Sequence, residues 1–205
     1  HETGHIFDAR DQYGCSCTDK SGYLYIENQN CLNSCLLNES SIMRANPIIP
    51  YANGLVDVYA RGQVGWQDLD NDNILDIVDV SPSVSLNAHL PDPDRSRLIA
   101  YTGNSLVGIF PAINPSYNDI SINKIANVVY RVDNKGWSNT SSVDGIFDEY
   151  GENYSFTLSL GCGSHYTETK AVDDWGNPTL EGSYGYDSVT SAYGCSTSKT
   201  KFTQA

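Results

Sequence analysis

Apolar and polar residues alternate in the second half of the chain and keep no steady period in the first. The runs 98–101, 106–110, 125–133, 154–160 and 165–173 are short, apolar or alternating, and separated by turn residues. A period of two sends successive side chains to opposite faces, so residues 96–178 are expected to form an antiparallel β-sandwich. Residues 81–95, with Pro82, Pro91 and Pro93, read as a linker, and residues 179–205, which lack a period, as a tail. Upstream, Tyr51, Leu55, Val58 and Tyr59 fall at helical spacing and predict a helix from about 53 to 64. Residues 1–8 read as the end of another helix, and Tyr23–Ile26 as a short strand inside a Gly-, Ser-, Asn- and Cys-rich stretch over 12–42.

Charge narrows the function classes. The 205 residues carry 12 basic and 25 acidic side chains, a net charge of −13. No basic stripe is available to displace counterions, so nucleic acid is not an expected partner. No apolar run reaches the roughly 18 residues of a membrane span. Six cysteines stand at Cys15, Cys17, Cys31, Cys35, Cys162 and Cys195. Cys-x-Cys and Cys-x-x-x-Cys spacings suit zinc fingers poorly and suit disulfides in an oxidising compartment, so the chain is expected to be secreted or at a cell surface. Cys15 and Cys17 are each expected to pair with Cys31 or Cys35, and Cys162 with Cys195. Sequons at Asn38, Asn139 and Asn153 add little.

The chemistry gathers in the first eleven residues. His1 and His5 are four apart, which on a helix stacks two imidazoles on one face within reach of one metal ion. Glu2 stands close to that face, placed to take a proton from water. Asp11, ten residues after His1, returns to the metal once the helix stops after His5; Asp8 competes for the same role. His165, on an expected strand, reads as a packing or exposed residue.

With the single methionine, Met43, in Ser41-Ile42-Met43-Arg44, this pattern resembles the metzincin zinc proteases, in particular secreted bacterial members with an Asp third ligand. The resemblance implies that His1, His5 and Asp11 bind Zn2+, that Glu2 is the general base and that Met43 lies in a turn beneath the metal. It also implies that residues 1–66, mostly helix and loops, are the C-terminal portion of a catalytic domain whose earlier part lies in a longer chain. Two features depart from the family. Asp8 stands where the family has Gly, although Asp tolerates the left-handed backbone that ends such a helix. No tyrosine closely follows Met43, and Tyr51 is a distant candidate for assisting the oxyanion.

Residues 67–80 form a third pattern. Asp68, Asp70, Asp72, Asp76 and Asp79 occupy positions 1, 3, 5, 9 and 12 of an EF-hand- or dockerin-like loop, with the Ile74 carbonyl at position 7. Five carboxylates in twelve residues repel one another without a cation, so Ca2+ is expected.

The expected fold class is therefore α+β, with a metzincin-like helical part, a calcium loop and an antiparallel β-sandwich, whose residues 130–133, Trp137, 143–148 and 171–177 resemble Ig-like or fibronectin-III-like modules. The expected function is a zinc endopeptidase acting on protein or peptide substrates. The alternative is a calcium-stabilised extracellular adhesion or binding module carrying an inactive protease remnant. A metal-dependent glycan or ester hydrolase has no substrate signature in the sequence.

Overall fold

The structure, a computed structural model, describes residues 1–32, 34–44, 48–87 and 98–189. These residues divide into two compact units, His1–Val80 with Ile109–Ser121, and Ser81–Gly108 with the chain from Ile122 onward.

The first unit holds helices α1 (Glu2–Ile6), α2 (Ile48–Ala52) and α3 (Val58–Gln63), and a two-residue antiparallel ladder of β1 (Lys20–Ser21) and β2 (Ile26–Glu27). The helix expected over 53–64 is broken. Gly54 takes φ +64 after α2, and Asp57 starts α3 as its N-cap, its Oδ1 accepting from the backbone N–H groups of Tyr59 and Ala60. The strand expected over 23–26 is mostly turn, because Tyr25 sits at φ 52, outside the β region.

The apolar core of this unit is small: Ala9, Met43 and Ala60, with Ile42, Val56 and Val64 against them. Polar groups and disulfides do the remaining work. The Gln12 side chain is fully buried; its Nε2 donates to Asp57 (2.9 Å), and its Oε1 accepts from Asn30 (3.1 Å). Arg44 Nη1 donates to Asn30 Oδ1 and to the Glu39 carbonyl. Disulfides Cys15–Cys31 and Cys17–Cys35 close the loop around this network. A small core stapled in this way is usual for proteins of oxidising compartments, and the two bridges are compatible with an extracellular location. The expected Cys162–Cys195 bridge involves Cys195, which lies outside the described residues.

The second unit is two four-stranded antiparallel sheets sharing one core. One sheet runs β3 (Ser83–Leu86), β4 (Leu98–Leu106), β8 (Gly151–Ser159), β7 (Ser141–Ser142). The other runs β10 (Ser183–Val189), β9 (Gly163–Asp173), β5 (Ile125–Val132), β6 (Ser138–Asn139). Strand β4 alternates strictly between exposed and buried, with Ile99 and Tyr101 among its inward residues, and β8 answers with Tyr154, Phe156 and Leu158. The Tyr101, Phe156 and Tyr130 rings stack at centroid distances of 4.9 and 4.2 Å. Gly103 leaves the space that Tyr154 fills: a Cβ there would overlap the Tyr154 ring and the Ser85 carbonyl.

The α+β expectation with a helix-rich first part is thereby corrected. Among the described residues, helix is confined to three short segments, and the strands form three antiparallel sheets. Among the described residues the longest helix has six residues: Asp8 (φ 61) ends α1, Gly54 (φ 64) follows α2 and Gly65 (φ 85) follows α3. Strand content also extends past the expected limits. Strand β3 lies inside the expected linker, and β10 inside the expected tail, paired with β9 along its whole length. Residues 109–121 join the first unit instead of the sandwich. No helix among the described residues is long and apolar enough to cross a membrane.

Candidate metal centre

Helix α1 begins at His1, whose carbonyl accepts from the Gly4 N–H (2.8 Å), and ends in a Schellman arrangement. The Ala9 N–H bonds the Gly4 carbonyl, the Asp8 N–H bonds the His5 carbonyl, and Asp8 holds φ 61. That stop reverses the chain within three residues. The returning chain is then held at three points: Arg10 N–H to Gln63 Oε1 (2.9 Å), Asn28 Nδ2 to the Asp11 carbonyl (2.9 Å), and Gln12 N–H to the Met43 carbonyl (2.8 Å).

Asp11 is thereby carried to both histidines. Its Oδ1 lies 2.9 Å from His1 Nε2 and 3.2 Å from His5 Nε2, and the two Nε2 atoms are 3.3 Å apart. The far side of each ring is committed. His1 Nδ1 donates to the Ile42 carbonyl and His5 Nδ1 to the Ala9 carbonyl, each at 2.7 Å. A carbonyl only accepts, so each Nδ1 carries the ring proton and each neutral ring turns a lone pair inward. With both rings neutral, two imidazole lone pairs and a carboxylate oxygen face one point. Asp11 Oδ1 is buried and has no hydrogen-bond partner.

This arrangement fits zinc. Ligands about 2.0–2.1 Å from a tetrahedral ion stand about 3.3–3.4 Å from one another, close to the 2.9, 3.2 and 3.3 Å observed. Carbonyls behind both rings are the outer partners that orient metal-binding histidines.

The other expected residues divide. Glu2 is almost wholly exposed, its Oε1 4.0 Å from His1 Nε2. Met43 is buried beneath α1, so close that a Cβ on Gly4 would stand 2.7 Å from its Sδ. Asp8 turns away from the histidines: its Oδ2 accepts from the Gly22 N–H (3.3 Å), and its carboxylate is hydrogen-bonded to Tyr117, which raises the phenol's pKa after the larger effect of burial. Tyr51 is an exposed residue of α2. The tyrosine at the site is Tyr13, absent from the sequence reading. Its phenol pKa is raised, first by a hydrogen bond to Asp11, and its ring stacks on His1 with centroids 6.2 Å apart. Only its position two residues after Asp11 could have signalled it. Beside the triangle opens a cavity of about 460 Å³ lined by His5, Asp8, Arg10, Asp11, Tyr13 and Asp19.

In the acidic loop, Asp68, Asp70 and Asp72 bring carboxylate oxygens within 4.8 Å of one another. Asp68 accepts from the N–H groups of Asn71 and Asn73, both at positive φ (62 and 74). Asp76 accepts from the Leu69 N–H (2.9 Å), and the Asp79 N–H bonds the Leu75 carbonyl. Ile74 N–H is held by Asp72. The sequence reading passed over a further trio, Asp144, Asp148 and Glu152. Glu152 there is a staple, accepting from the Asp148 and Glu149 N–H groups and from Ser142. His165 is bound to Asp133 (2.8 Å) and the Gly161 carbonyl, which lowers the Asp133 pKa.

No family model matches the chain, and no curated protein matches it. Among solved structures, the sulfane dehydrogenase SoxCD from Paracoccus pantotrophus is similar over 48% of this chain, at 13% identity and a TM-score of 0.35. The match spans 23% of that chain, a likeness too slight to support any inference. The resemblance to metzincins is corrected here. No family or sequence relative supports it, and the mostly antiparallel-sheet architecture is not that of a helix-rich catalytic domain.

Proposed function

We propose that the chain is a secreted, zinc-dependent hydrolase of peptide bonds. The observation that supports this best is the convergence of His1 Nε2, His5 Nε2 and Asp11 Oδ1 on one point, with both Nδ1 protons already bound to carbonyls. Zinc held there supplies Lewis acidity, polarising a carbonyl and making water acidic near neutral pH. The chain supplies the rest. Glu2, exposed beside His1, takes a proton from the attacking water and passes it to the leaving amine. The carbonyls of Ile42 and Ala9 fix the rings, and Met43 supports α1 from below. The cavity lined by His5, Asp11 and Tyr13 gives a peptide room beside the triangle.

The loop at Asp68, Asp70 and Asp72 is proposed to hold Ca2+ in a structural role, with the Ile74 carbonyl as a further ligand.

The test is hydrolysis of unstructured protein and peptide pools by the zinc-loaded chain, compared with Glu2→Gln. Glu2→Gln is expected to keep zinc and lose about 10²–10⁴-fold in turnover. Zinc-loaded wild type that cleaves nothing, or Glu2→Gln at wild-type turnover, contradicts the proposal.

A further inference from the structure

Two peptide units near Asp11 are each anchored at both ends. In the unit joining Ala9 to Arg10, the Ala9 carbonyl accepts from His5 Nδ1 (2.7 Å) and the Arg10 N–H donates to Gln63 Oε1 (2.9 Å). In the unit joining Asp11 to Gln12, the Asp11 carbonyl accepts from Asn28 Nδ2 (2.9 Å) and the Gln12 N–H donates to the Met43 carbonyl (2.8 Å). Peptide units are planar, so two fixed planes with one unit between them leave the Asp11 Cα, and the direction of its side chain, little freedom. Two of the four anchors are side-chain amides, those of Asn28 and Gln63, and both residues are fully buried. Asn28 is the one that touches Asp11 itself. A carbonyl only accepts, so this contact needs the amide N–H. The amide oxygen, Oδ1, is buried without a hydrogen-bond partner among the described residues. Such an orphan costs stability that an apolar side chain of the same shape would not, so packing does not account for an asparagine here. Asn28 is itself fixed: its N–H bonds the Asp19 carbonyl (2.8 Å), and its carbonyl takes the N–H of Cys31 (3.2 Å), which is bridged to Cys15.

We propose that Asn28 is a positioning residue, whose amide fixes the peptide unit after Asp11 and so holds the Asp11 carboxylate against the two histidines. This rests on the zinc reading above. Helix α1 sets the spacing of His1 and His5, whereas Asp11 reaches them along a stretch that belongs to no helix or strand. Its place therefore depends on the groups that grip its backbone. Without the Asn28 donor, the Asp11–Gln12 unit is held from one end only, and the carboxylate spends part of its time away from both Nε2 atoms. Outer partners of this kind orient the groups that touch a metal and so tune its affinity.

The test measures Zn2+ affinity by chelator competition in four full-length chains: wild type, Asn28→Leu, Asp11→Ala and the double variant. Asn28→Leu keeps the approximate size of the side chain and cannot donate. It is expected to lower zinc affinity about tenfold, the lower end of outer-partner losses. In the Asp11→Ala background the same substitution should change the affinity by less than about twofold, because the residue it positions is already gone. Should Asn28→Leu not fold, Asn28→Asp, which exchanges the donor for an oxygen at the same size, takes its place in the cycle. Equal losses in both backgrounds show a general support of the fold and overturn the proposal. Wild-type affinity in the Asn28 variant overturns it too, and leaves the zinc site standing. A wild type that binds no Zn2+ overturns both readings.

Discussion

His1 Nε2 stands 2.9 Å from Asp11 Oδ1, while the opposite nitrogen of the same ring donates to the Ile42 carbonyl at 2.7 Å. The second contact gives the first its meaning: in the neutral ring the proton is spent on the backbone, and the side facing Asp11 is a lone pair. Ile42 adjoins Met43, which packs under α1, so one short segment both supports the helix and sets the tautomer. Replacing Met43 with Ala should cost about 2–5 kcal/mol through the cavity left under Gly4, read by chemical denaturation. Metal affinity should fall with it, since Ile42 moves when its neighbour loses its seat. A Met43→Ala chain of unchanged stability contradicts the packing account.

Asp8 should act through its backbone. At φ 61 it ends α1, a conformation that costs a β-branched residue about 1–2 kcal/mol. Asp8→Asn is expected to retain wild-type metal content, whereas Asp8→Val should lose stability and bind metal more weakly. Loss of zinc from Asp8→Asn would make Asp8 a ligand.

How far the sequence carries the site follows from these two residues. The four-residue step from His1 to His5 and the turn-tolerant Asp8 make the return of Asp11 readable, because each is a local rule. Tyr13 was not readable, since its stacking on His1 is a fact of three dimensions. In the fold, the alternation in β4 and β8 is local and legible. Strand β10 is not: its Ser, Tyr and Gly residues show little apolar alternation, and it forms because β9 offers an edge over seven residue pairs. Strand β3 was hidden by the prolines around it. The helix expected over 53–64 was misread because apolar spacing outweighed Gly54 and the N-cap at Asp57.

Reduction should act on the first unit. Cys15–Cys31 and Cys17–Cys35 span 16 and 18 residues, and a loop of that size is stabilised by about 2–4 kcal/mol per bridge. After reduction, the amides of Gln12, Cys31 and Leu32 should exchange hydrogen much faster. Equal protection before and after reduction would mean that the polar network alone holds this unit.

Calcium should raise the stability of the same unit. Binding at one hundred times its dissociation constant adds about 2.7 kcal/mol, and Asp68→Ala should abolish the gain, since Asp68 anchors both Asn71 and Asn73. A melting temperature indifferent to Ca2+ in wild type contradicts a calcium loop.

Tyr154 sets an alkaline limit on the second unit. Its hydroxyl donates to the Ser85 carbonyl (2.8 Å) and lies 3.2 Å from Thr169 Oγ1, and burial raises its pKa above the usual tyrosine value. A folded pKa above the unfolded one means that the contribution is complete below the unfolded pKa, about 10, and is lost as pH rises through the folded value. Stability should therefore fall above about pH 10, and Tyr154→Phe should flatten that fall while costing about 1–3 kcal/mol at neutral pH. An unchanged alkaline profile in Tyr154→Phe assigns the limit to another group.

The central claim is tested most directly by elemental analysis of the purified chain, dialysed against metal-free buffer, beside Asp11→Ala. The account predicts one tightly held zinc per chain in wild type and its loss in Asp11→Ala. Calcium without zinc in wild type, or zinc undiminished in Asp11→Ala, contradicts it.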